Sequence, residues 1–594
     1  MKKNKPEARS KTGTGKGSLR VKFVSSKPAK SLQAGGYPAK QPAGAVLEIP
    51  SIKVIHQLPA PPEYFSGREK ELKAVLHNLQ HGVLITGRVI AAGIGKTAFG
   101  LVLADRLLNR YPDGQIFLDL RGASTQEPLT PAQAMRCILH DIDPQERLPQ
   151  DEDALAAHYR SVLQGRLLLL FLDNARDQAQ VLPLVSPKGS LTLVTSRRQF
   201  RLETLVLDGL APRDARRLMY RIAARMKSTK AGTIARQCNY LPLALKLAAG
   251  ILATHPDWEP ALLAKKMKEK KAVADSLQTC LELSYGVLDE KMQLRFRQLG
   301  VFPASFDREA AGAVWAACEE ETGIWLEFFK QAGLLEFDRV SGRYVLHEQM
   351  EDFAMRKLSP EEQAAARRRH AWHYLQVFSE AEALYWKGGE NITAGLAAFD
   401  REEQHIRRGQ AWAAASDLEL ANAYPGVGAA LLRLRLEARE RIAWRETSLA
   451  AARQLQDRRA ESVHLGHLGL DHKELGEFHK ALAFHRDALL IDRETGNRDC
   501  EEADLGNLGN TCIAMGEPAR AMEFYEKALA LARELDDQPG EGIALANMGD
   551  AIYNQGERPR GVELVRQALA IFSAIGSPQA EWARKWLEQW GERV

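Results

Sequence analysis

Apolar runs with strand character alternate with helical spacing along residues 82–198. The run GVLITG (82–87) ends at a glycine, and AFGLVLADRLLNRY (98–111) repeats its apolar positions at helical intervals. Later strand-like runs end in polar residues: QIFLDLRG (115–122), RLLLLFLDNARD (166–177) and LTLVTSRR (191–198). The order strand, loop, helix, strand is typical of a parallel α/β sheet. Because ligands of such sheets bind at the carboxyl ends of strands, these polar ends predict one site.

The loop between the first strand and helix has the composition of a phosphate site. Within ITGRVIAAGIGKTAFG (85–100), the backbone amides around Gly93 and Gly95 precede a helix, where they would form a nest for an anion. Lys96 would reach the β and γ phosphates of a nucleotide, and the Thr97 hydroxyl would ligate Mg²⁺. The string GIGKT alone is weak evidence, but its spacing to the later strands makes it strong.

Two later strand ends complete this chemistry. Asp173 follows the apolar strand LLLLFL and is placed to hold the same Mg²⁺, directly or through water. Arg197 follows the next strand and would sense the γ-phosphate. These two residues are the candidates for a catalytic role in ATP hydrolysis.

A 40-residue period runs through the C-terminal part of the chain. The segments that begin at Glu461, Glu501 and Glu541 align, with small residues at matching positions. Small residues let paired helices approach closely, and each pair buries its apolar face only against its neighbours. The period resembles the tetratricopeptide repeat. His467, Asn507 and Asn547 occupy equivalent positions on the first helix of each repeat. They would either contact a bound peptide or form a solvated face, and the two interpretations have equal weight.

Composition bounds the class of protein. The 594 residues are too many for one core, and the six cysteines are scattered without metal-binding spacing, as expected in a reducing cytoplasm. No apolar run approaches the length of a membrane span. Residues 1–60 contain 12 Lys and Arg against two acids, so this segment is expected to be disordered. Such a tail would either bind nucleic acid or simply increase solubility.

Residues 59–365 resemble the NB-ARC signalling ATPases of the STAND group, particularly actinobacterial regulators. The resemblance rests on YFSGREKEL (64–72), the loop and strands above, CNYLPLALKLAAGIL (238–252) and YVLHEQMEDFA (344–354). It implies that ADP or ATP binds with Mg²⁺ as a switch. It also implies that Arg68 lies beside the adenine, that Pro242 packs on it, and that His347 contacts the β-phosphate of ADP.

Three departures from the family pattern qualify this resemblance. About three residues are inserted between Gly87 and Ala92; they are expected to bulge outward and leave the phosphate nest intact, although occlusion of the pocket by hydrophobic side chains is the alternative. Asn174 stands where relatives often have a second acid, so a candidate general base is missing and hydrolysis should be slow at most. Glu348 replaces the usual Asp after the histidine.

The predicted fold class is an α/β P-loop NTPase with a parallel sheet, followed by an all-α subdomain, a winged helix and an α-solenoid. The predicted segments are a basic tail (1–58), the nucleotide-binding domain (59–204), a helical subdomain (205–275), the winged helix (276–365), a helical linker with a degenerate repeat (366–457), and tetratricopeptide repeats with a cap (458–594).

Three functions are compatible with these features. The first is an ADP/ATP switch in which the repeats sense a protein partner and nucleotide exchange drives opening and self-association. The second is a nucleotide-free scaffold, and the third is a transcription-associated regulator that contacts nucleic acid through the basic tail.

Overall fold

The computed structural model describes residues 55–77, 82–87, 92–122, 127–144, 146, 148–149, 151–226, 230–271, 275–577 and 579–592. Residues 1–54 of the basic tail and the inserted loop residues 88–91 lie outside these ranges, so the expectations about their disorder and about loop bulging stay predictions. Contacts divide the chain into two compact units that meet in sequence between Phe484 and His485. Within the described ranges, no helix is both long and apolar enough to cross a membrane.

A six-stranded parallel sheet forms the first part of the larger unit, as predicted. Its spatial order is β1-β3-β4-β5-β2-β6. Leu84 belongs to one apolar core, whereas Val83 and Ile85 belong to another, because successive residues of a strand point to opposite faces. The strands are β1 (Ile55–His56), β2 (Gly82–Gly87), β3 (Gly114–Asp119), β4 (Leu168–Ala175), β5 (Leu191–Ser196) and β6 (Glu203–Leu207).

Helices cover both faces of this sheet. Apolar residues of α1 and α2 share a core with one face, and those of α3 and α4 share a core with the other. Thr130 caps the start of α3 with a capping box. Its hydroxyl accepts from the Gln133 amide, and the Gln133 side chain accepts from the Thr130 amide. The helices are α1 (Glu69–His77), α2 (Lys96–Leu107), α3 (Pro131–Ile142), α4 (Glu152–Leu163) and α5 (Gln178–Val181).

The next segment is a small helical bundle joined to a winged helix. Asp275, Asp289 and Asp307 each cap a helix by accepting a backbone N–H. The elements are α6 (Pro212–Ile222), α7 (Ala231–Gln237), α8 (Pro242–Thr254), α9 (Pro260–Lys271), α10 (Ser276–Gly286), α11 (Glu290–Gln298), α12 (Arg308–Trp315), α13 (Glu319–Gln331), the antiparallel pair β7 (Glu336–Asp338) and β8 (Arg343–Val345), and α14 (Glu348–Lys357).

Long helices follow the winged helix, as the Ala-, Arg- and Glu-rich sequence predicts. The Arg343 guanidinium of β8 donates to both carboxylate oxygens of Glu402, at 2.6 and 2.8 Å, in a buried ion pair. This pair connects the wing to α16. The helices are α15 (Pro360–Trp386), α16 (Glu390–Ser416), α17 (Leu418–Val427), α18 (Ala429–Arg435) and α19 (Ala438–Leu455).

Paired helices of 17 or 18 residues form the repeats. Gly516 and Gly556 have φ angles of +79° and +100° at the turns inside two successive pairs, a conformation that favours glycine. A Cβ atom on Gly509 would lie 2.4 Å from the Tyr525 ring, so glycine is required for close packing of α22 on α23. The helices are α20 (Arg458–Glu474), α21 (Phe478–Thr495), α22 (Arg498–Ala514), α23 (Pro518–Glu534), α24 (Gln538–Asn554), α25 (Arg558–Ala574) and the terminal α26 (Gln579–Gln589).

Candidate nucleotide-binding site

The glycine loop ends at the first turn of α2, as predicted. Gly93 and Gly95 have φ angles of +78° and +86°, which side chains rarely adopt. Gly95 is the N-cap of α2, and it provides no side chain to satisfy the first-turn amides. The amides of Lys96 and Thr97 therefore begin a helix whose N-terminal end attracts anions.

The start of α8 packs directly on this loop. The Leu243 amide donates to the Gly93 carbonyl at 3.3 Å. A Cβ atom on Gly93 would lie 2.8 Å from the Leu243 Cβ, and one on Gly95 would lie 3.6 Å from Pro242. Pro242 is thus adjacent to the loop, and the first glycine is required by the close approach as well as by its backbone conformation.

Asp173 and Thr97 meet at the carboxyl end of β4. The Thr97 hydroxyl donates to the two Asp173 carboxylate oxygens at 2.9 and 3.0 Å. Thr195 of the neighbouring strand donates to Asp173 Oδ1 at 2.5 Å. Burial raises the pKa of Asp173, and the hydrogen bonds from the two threonines oppose that shift.

The oxygen atoms of Thr97 and Asp173 fit a magnesium ion. Two ligands that occupy neighbouring positions around octahedral Mg²⁺, each at about 2.1 Å, lie about 3 Å apart. The hydroxyl and carboxylate are already at that separation. Among the described residues, no group of three or more acidic, His or Cys side chains is arranged to hold a metal ion. A magnesium ion with few protein ligands, completed by phosphate and water, is compatible with both observations.

Lys96 lies near this pair, between charged groups of both signs. Burial lowers the pKa of its amine, and the nearby Arg197 guanidinium lowers it further. The carboxylates of Asp173 and Glu348 act in the opposite direction. A polyphosphate at this position would stabilise the charged amine, because an adjacent negative charge favours the protonated form.

Arg197 makes an ion pair with the winged helix. Its Nη2 lies 2.8 and 2.7 Å from the two carboxylate oxygens of Glu348, which is 151 residues further along the chain. The two side chains are 33% and 24% exposed, so water screens the pair only in part. Arg197 is therefore held by the residue that departs from the usual family pattern.

His347 caps α14 next to this ion pair. Its Nδ1 accepts from the Gln349 amide at 3.2 Å. Burial lowers the pKa of the imidazole to about 4, so the ring is neutral at pH 7. Nearby, the Lys246 amine lies 2.6 Å from a carboxylate oxygen of Glu336. Contact of His347 with a β-phosphate stays a prediction.

Arg68 contacts the backbone of the glycine loop. Its buried guanidinium donates to the carbonyl oxygens of Ile94, at 3.2 Å, and Asp208, at 2.6 Å. These bonds connect the glycine loop to the residue that follows β6. The predicted position of Arg68 beside the adenine is not tested by these contacts, which show that it holds the loop.

Asp119 is a candidate site residue that the sequence interpretation did not assign. It pairs in register with Asp173 across the parallel strands β3 and β4. Burial, reinforced by the Asp173 charge, raises the pKa of Asp119 to about 7. The sequence signal for Asp119 is the polar end of the strand QIFLDLRG. Selection of acidic residues at strand ends identified Asp173 and would have identified Asp119 as well.

The three predicted partner-binding residues lie on the first helices of their repeats, but they are less exposed than residues of a solvated face would be. His467 on α20 is half-buried, and its carbonyl accepts from Arg445 at 2.8 Å. Asn507 on α22 is fully buried, and Asn547 on α24 is 5% exposed. The solvated alternative is therefore wrong for both asparagines. Asn507 as it stands presents no surface to a peptide.

Comparisons with known proteins agree with this architecture. A tetratricopeptide repeat model matches residues 459–534 and 499–574. The regulatory protein AfsR of Streptomyces coelicolor is 32% identical over 378 residues, which cover 57% of this chain and 38% of that protein. The AfsR protein of Streptomyces griseus is 31% identical over 375 residues, covering 59% and 37% respectively. The chain thus spans less than two fifths of these relatives.

A solved STAND protein with a tetratricopeptide repeat sensor, from Pyrococcus horikoshii, aligns with 89% of this chain and 86% of its own. Its TM-score is 0.43 and its sequence identity is 16%. This chain is therefore similar to the AfsR regulatory proteins of Streptomyces, and its C-terminal part matches the tetratricopeptide repeat.

Proposed function

We propose that the chain is a signal-transduction switch controlled by ADP and ATP. The loop at Gly93–Thr97 would bind the phosphates, with Lys96 as their counter-charge. Thr97 and Asp173 would hold Mg²⁺, which neutralises phosphate charge when it is bound. Support comes from the left-handed glycines, the uncapped start of α2 and the 3 Å spacing of the two magnesium-binding side chains.

The observation that carries the switch is the ion pair between Arg197 and Glu348. Arg197 follows a strand of the nucleotide domain, and Glu348 begins α14 of the winged helix. A γ-phosphate would compete with Glu348 for the guanidinium, because both are anions that accept from the same donors. ADP lacks this group and would leave the pair closed. ATP would weaken it and favour an open form able to self-associate.

Hydrolysis would be slow and would reset the switch. Asp173 and Arg197 are the candidates for its catalytic residues, and Asn174 cannot take a proton from an attacking water. The repeats would bind a protein partner. To move the balance from 1:99 to 99:1, that partner must favour the open form by about 10⁴-fold, or about 5.5 kcal/mol.

The nucleotide that co-purifies with the full-length protein tests the proposal. Protein purified without added nucleotide is denatured, and the supernatant is separated by ion-exchange chromatography. We expect close to one equivalent of ADP. The variant Lys96→Ala should lose it, while Lys188→Ala, which removes an exposed lysine from the same domain, should keep it.

Two results would overturn the switch. An empty wild-type protein that also fails to bind added ATP with Mg²⁺ would favour the nucleotide-free scaffold. Full retention by Lys96→Ala would show that the nucleotide lies elsewhere. The far-ultraviolet circular dichroism of all three proteins, measured in parallel, confirms that the helices are intact.

A further inference from the structure

Positive charge is concentrated in the helical subdomain as well as in the N-terminal tail. Residues 205–275 contain fourteen Lys and Arg against six Asp and Glu, a net charge of +8. The preceding residues 61–204 contain seventeen against sixteen, and residues 276–594 contain 38 against 52. The small bundle is therefore strongly basic between a neutral domain and an acidic C-terminal half.

Helices α6 and α9 turn this charge outward. Their inward sides are apolar, with Leu218 and Met219 on α6 and Leu263 and Met267 on α9. The exposed sides carry mainly arginine on α6 and lysine on α9. Both helices therefore present basic residues to solvent, and α9 also exposes Leu262 and Glu269.

The helices that carry the charge are neighbours. Helix α7 packs against both α6 and α9. The Gln237 side chain at the end of α7 donates to the Ala264 carbonyl of α9 at 3.0 Å. Arg225, after α6, donates to the carbonyl oxygens of Pro256 and Trp258, just before α9, at 2.7 and 3.0 Å. The basic residues therefore lie on neighbouring helices of one small bundle, and we call the exposed sides of these helices the α6–α9 basic surface.

Several of these charges are not used within the molecule. Among the described residues of the bundle, the exposed bases without a side-chain hydrogen bond or ion pair include Arg213, Arg217, Lys230, Arg236, Lys265 and Lys268. Elsewhere exposed arginines commonly pair with a carboxylate, as Arg493 does with Glu501 at 2.8 Å. Unpaired like charges repel one another, so a bound polyanion would stabilise this concentration of positive charge.

We propose that the α6–α9 basic surface binds the phosphate backbone of nucleic acid. Lysine is depleted in protein–protein interfaces, whereas Lys and Arg on adjacent helices are the usual electrostatic footprint of a nucleic-acid surface. Arg213 and Arg217 are one helical turn apart on α6, so both guanidinium groups face the same side. Such a surface supplies backbone contacts without sequence information.

Salt-dependent binding to DNA tests this surface. Full-length protein is titrated into a labelled 30-base-pair duplex of mixed sequence, followed by fluorescence anisotropy at 50–200 mM NaCl. The test variant R213Q/R217Q/K265Q/K268Q removes four charges. If each contacts one phosphate, the slope of log K against log salt should fall in magnitude by about 3.6, and binding at 0.1 M salt should weaken at least about 100-fold.

A matched variant controls for net charge. R439Q/R459Q/R486Q/K527Q removes four exposed bases outside the bundle and should retain most of the affinity. Deletion of residues 2–54 separates the tail from the surface: the shortened protein should still bind the duplex in a salt-dependent way. This deletion also tests the proposal without altering the bundle, in case the four substitutions destabilise it.

Four outcomes would overturn the inference. The first is an unchanged slope for the test variant, and the second is an equal loss for the matched variant. The third is complete loss of DNA binding on deletion of the tail alone. Binding to vesicles with 30% anionic lipid but not to the duplex would likewise assign the surface to membranes and reject nucleic acid.

Discussion

Replacement of Glu348 by glutamine tests the coupling between the nucleotide domain and the winged helix. The Arg197–Glu348 pair consists of two charge-assisted bonds of 2.7 and 2.8 Å. Bonds of this type contribute about 1.5–3 kcal/mol when protected from water. Since about a third of the Arg197 side chain is exposed, we reduce the expectation to about 1–2 kcal/mol. The ratio of closed to open molecules should therefore fall by a factor of about 5–30.

Stopped-flow release of a fluorescent ADP analogue measures this effect. We expect Glu348→Gln to release ADP about 5–30-fold faster than wild type, whereas Glu290→Gln, an exposed change on α11, should release it at the wild-type rate. Glu348→Asp restores the charge with a shorter side chain and should fall between the two. The thermal midpoint of each protein shows whether the fold is intact.

A double-mutant cycle decides whether the ion pair is the cause. Arg197→Gln and Glu348→Gln should each accelerate release, and the double variant should be little faster than either, with a coupling of about 1–2 kcal/mol. Fully additive effects would show that the two residues act independently. A wild-type release rate for Glu348→Gln would refute the proposed role of the pair.

Three further predictions concern stability. Gly509→Ala should lower the free energy of unfolding by about 1–3 kcal/mol in urea titrations, because the added Cβ would lie 2.4 Å from Tyr525. An added Cβ on Gly506, on the same helix, meets nothing within 4 Å, so Gly506→Ala should be neutral or stabilising. Equal losses for the two variants would contradict the packing argument. Burial lowers the pKa of His405 to about 3 and the pKa of its neighbour His370 well below its usual value. The free energy of unfolding should therefore be unaffected by these two groups above about pH 6.5 and should decline as the pH falls toward 3, because protonation favours the unfolded chain. His370→Gln should weaken this pH dependence, and an unchanged profile would count against the explanation. Arg441→Met should lower the free energy of unfolding by about 1–3 kcal/mol, because it removes one partner of the buried Asp471 at 2.8 Å while Arg445 keeps the other contact at 2.6 Å. R441M/R445M removes both cations and should cost more than the sum of the two single variants in urea titrations, because only then is the buried carboxylate uncompensated; additive losses would contradict this reasoning.

Local pattern was sufficient for much of the fold and for the centre of the candidate site. The parallel strands, the glycine loop and the 40-residue repeats each leave a periodic or spaced signal within a short stretch, because backbone geometry fixes where apolar and small residues must recur. The same rule placed Asp173 at a strand end, where the structure brings it to Thr97. The aligned repeats also predicted small residues at matching positions, and at one of these Gly509 packs against Tyr525.

Contacts between distant segments were decided only by the tertiary structure. No periodicity connects Arg197 with Glu348, 151 residues away, or gives Asp119 its position beside Asp173. The register of the repeats located Asn507 correctly, yet packing of the neighbouring helices buried it. The charge of residues 205–275 is written in the sequence, but its concentration on one surface depends on how α6, α7 and α9 pack. Local sequence sets which conformations a segment adopts, whereas burial and ion pairing depend on which segments the folded chain brings together.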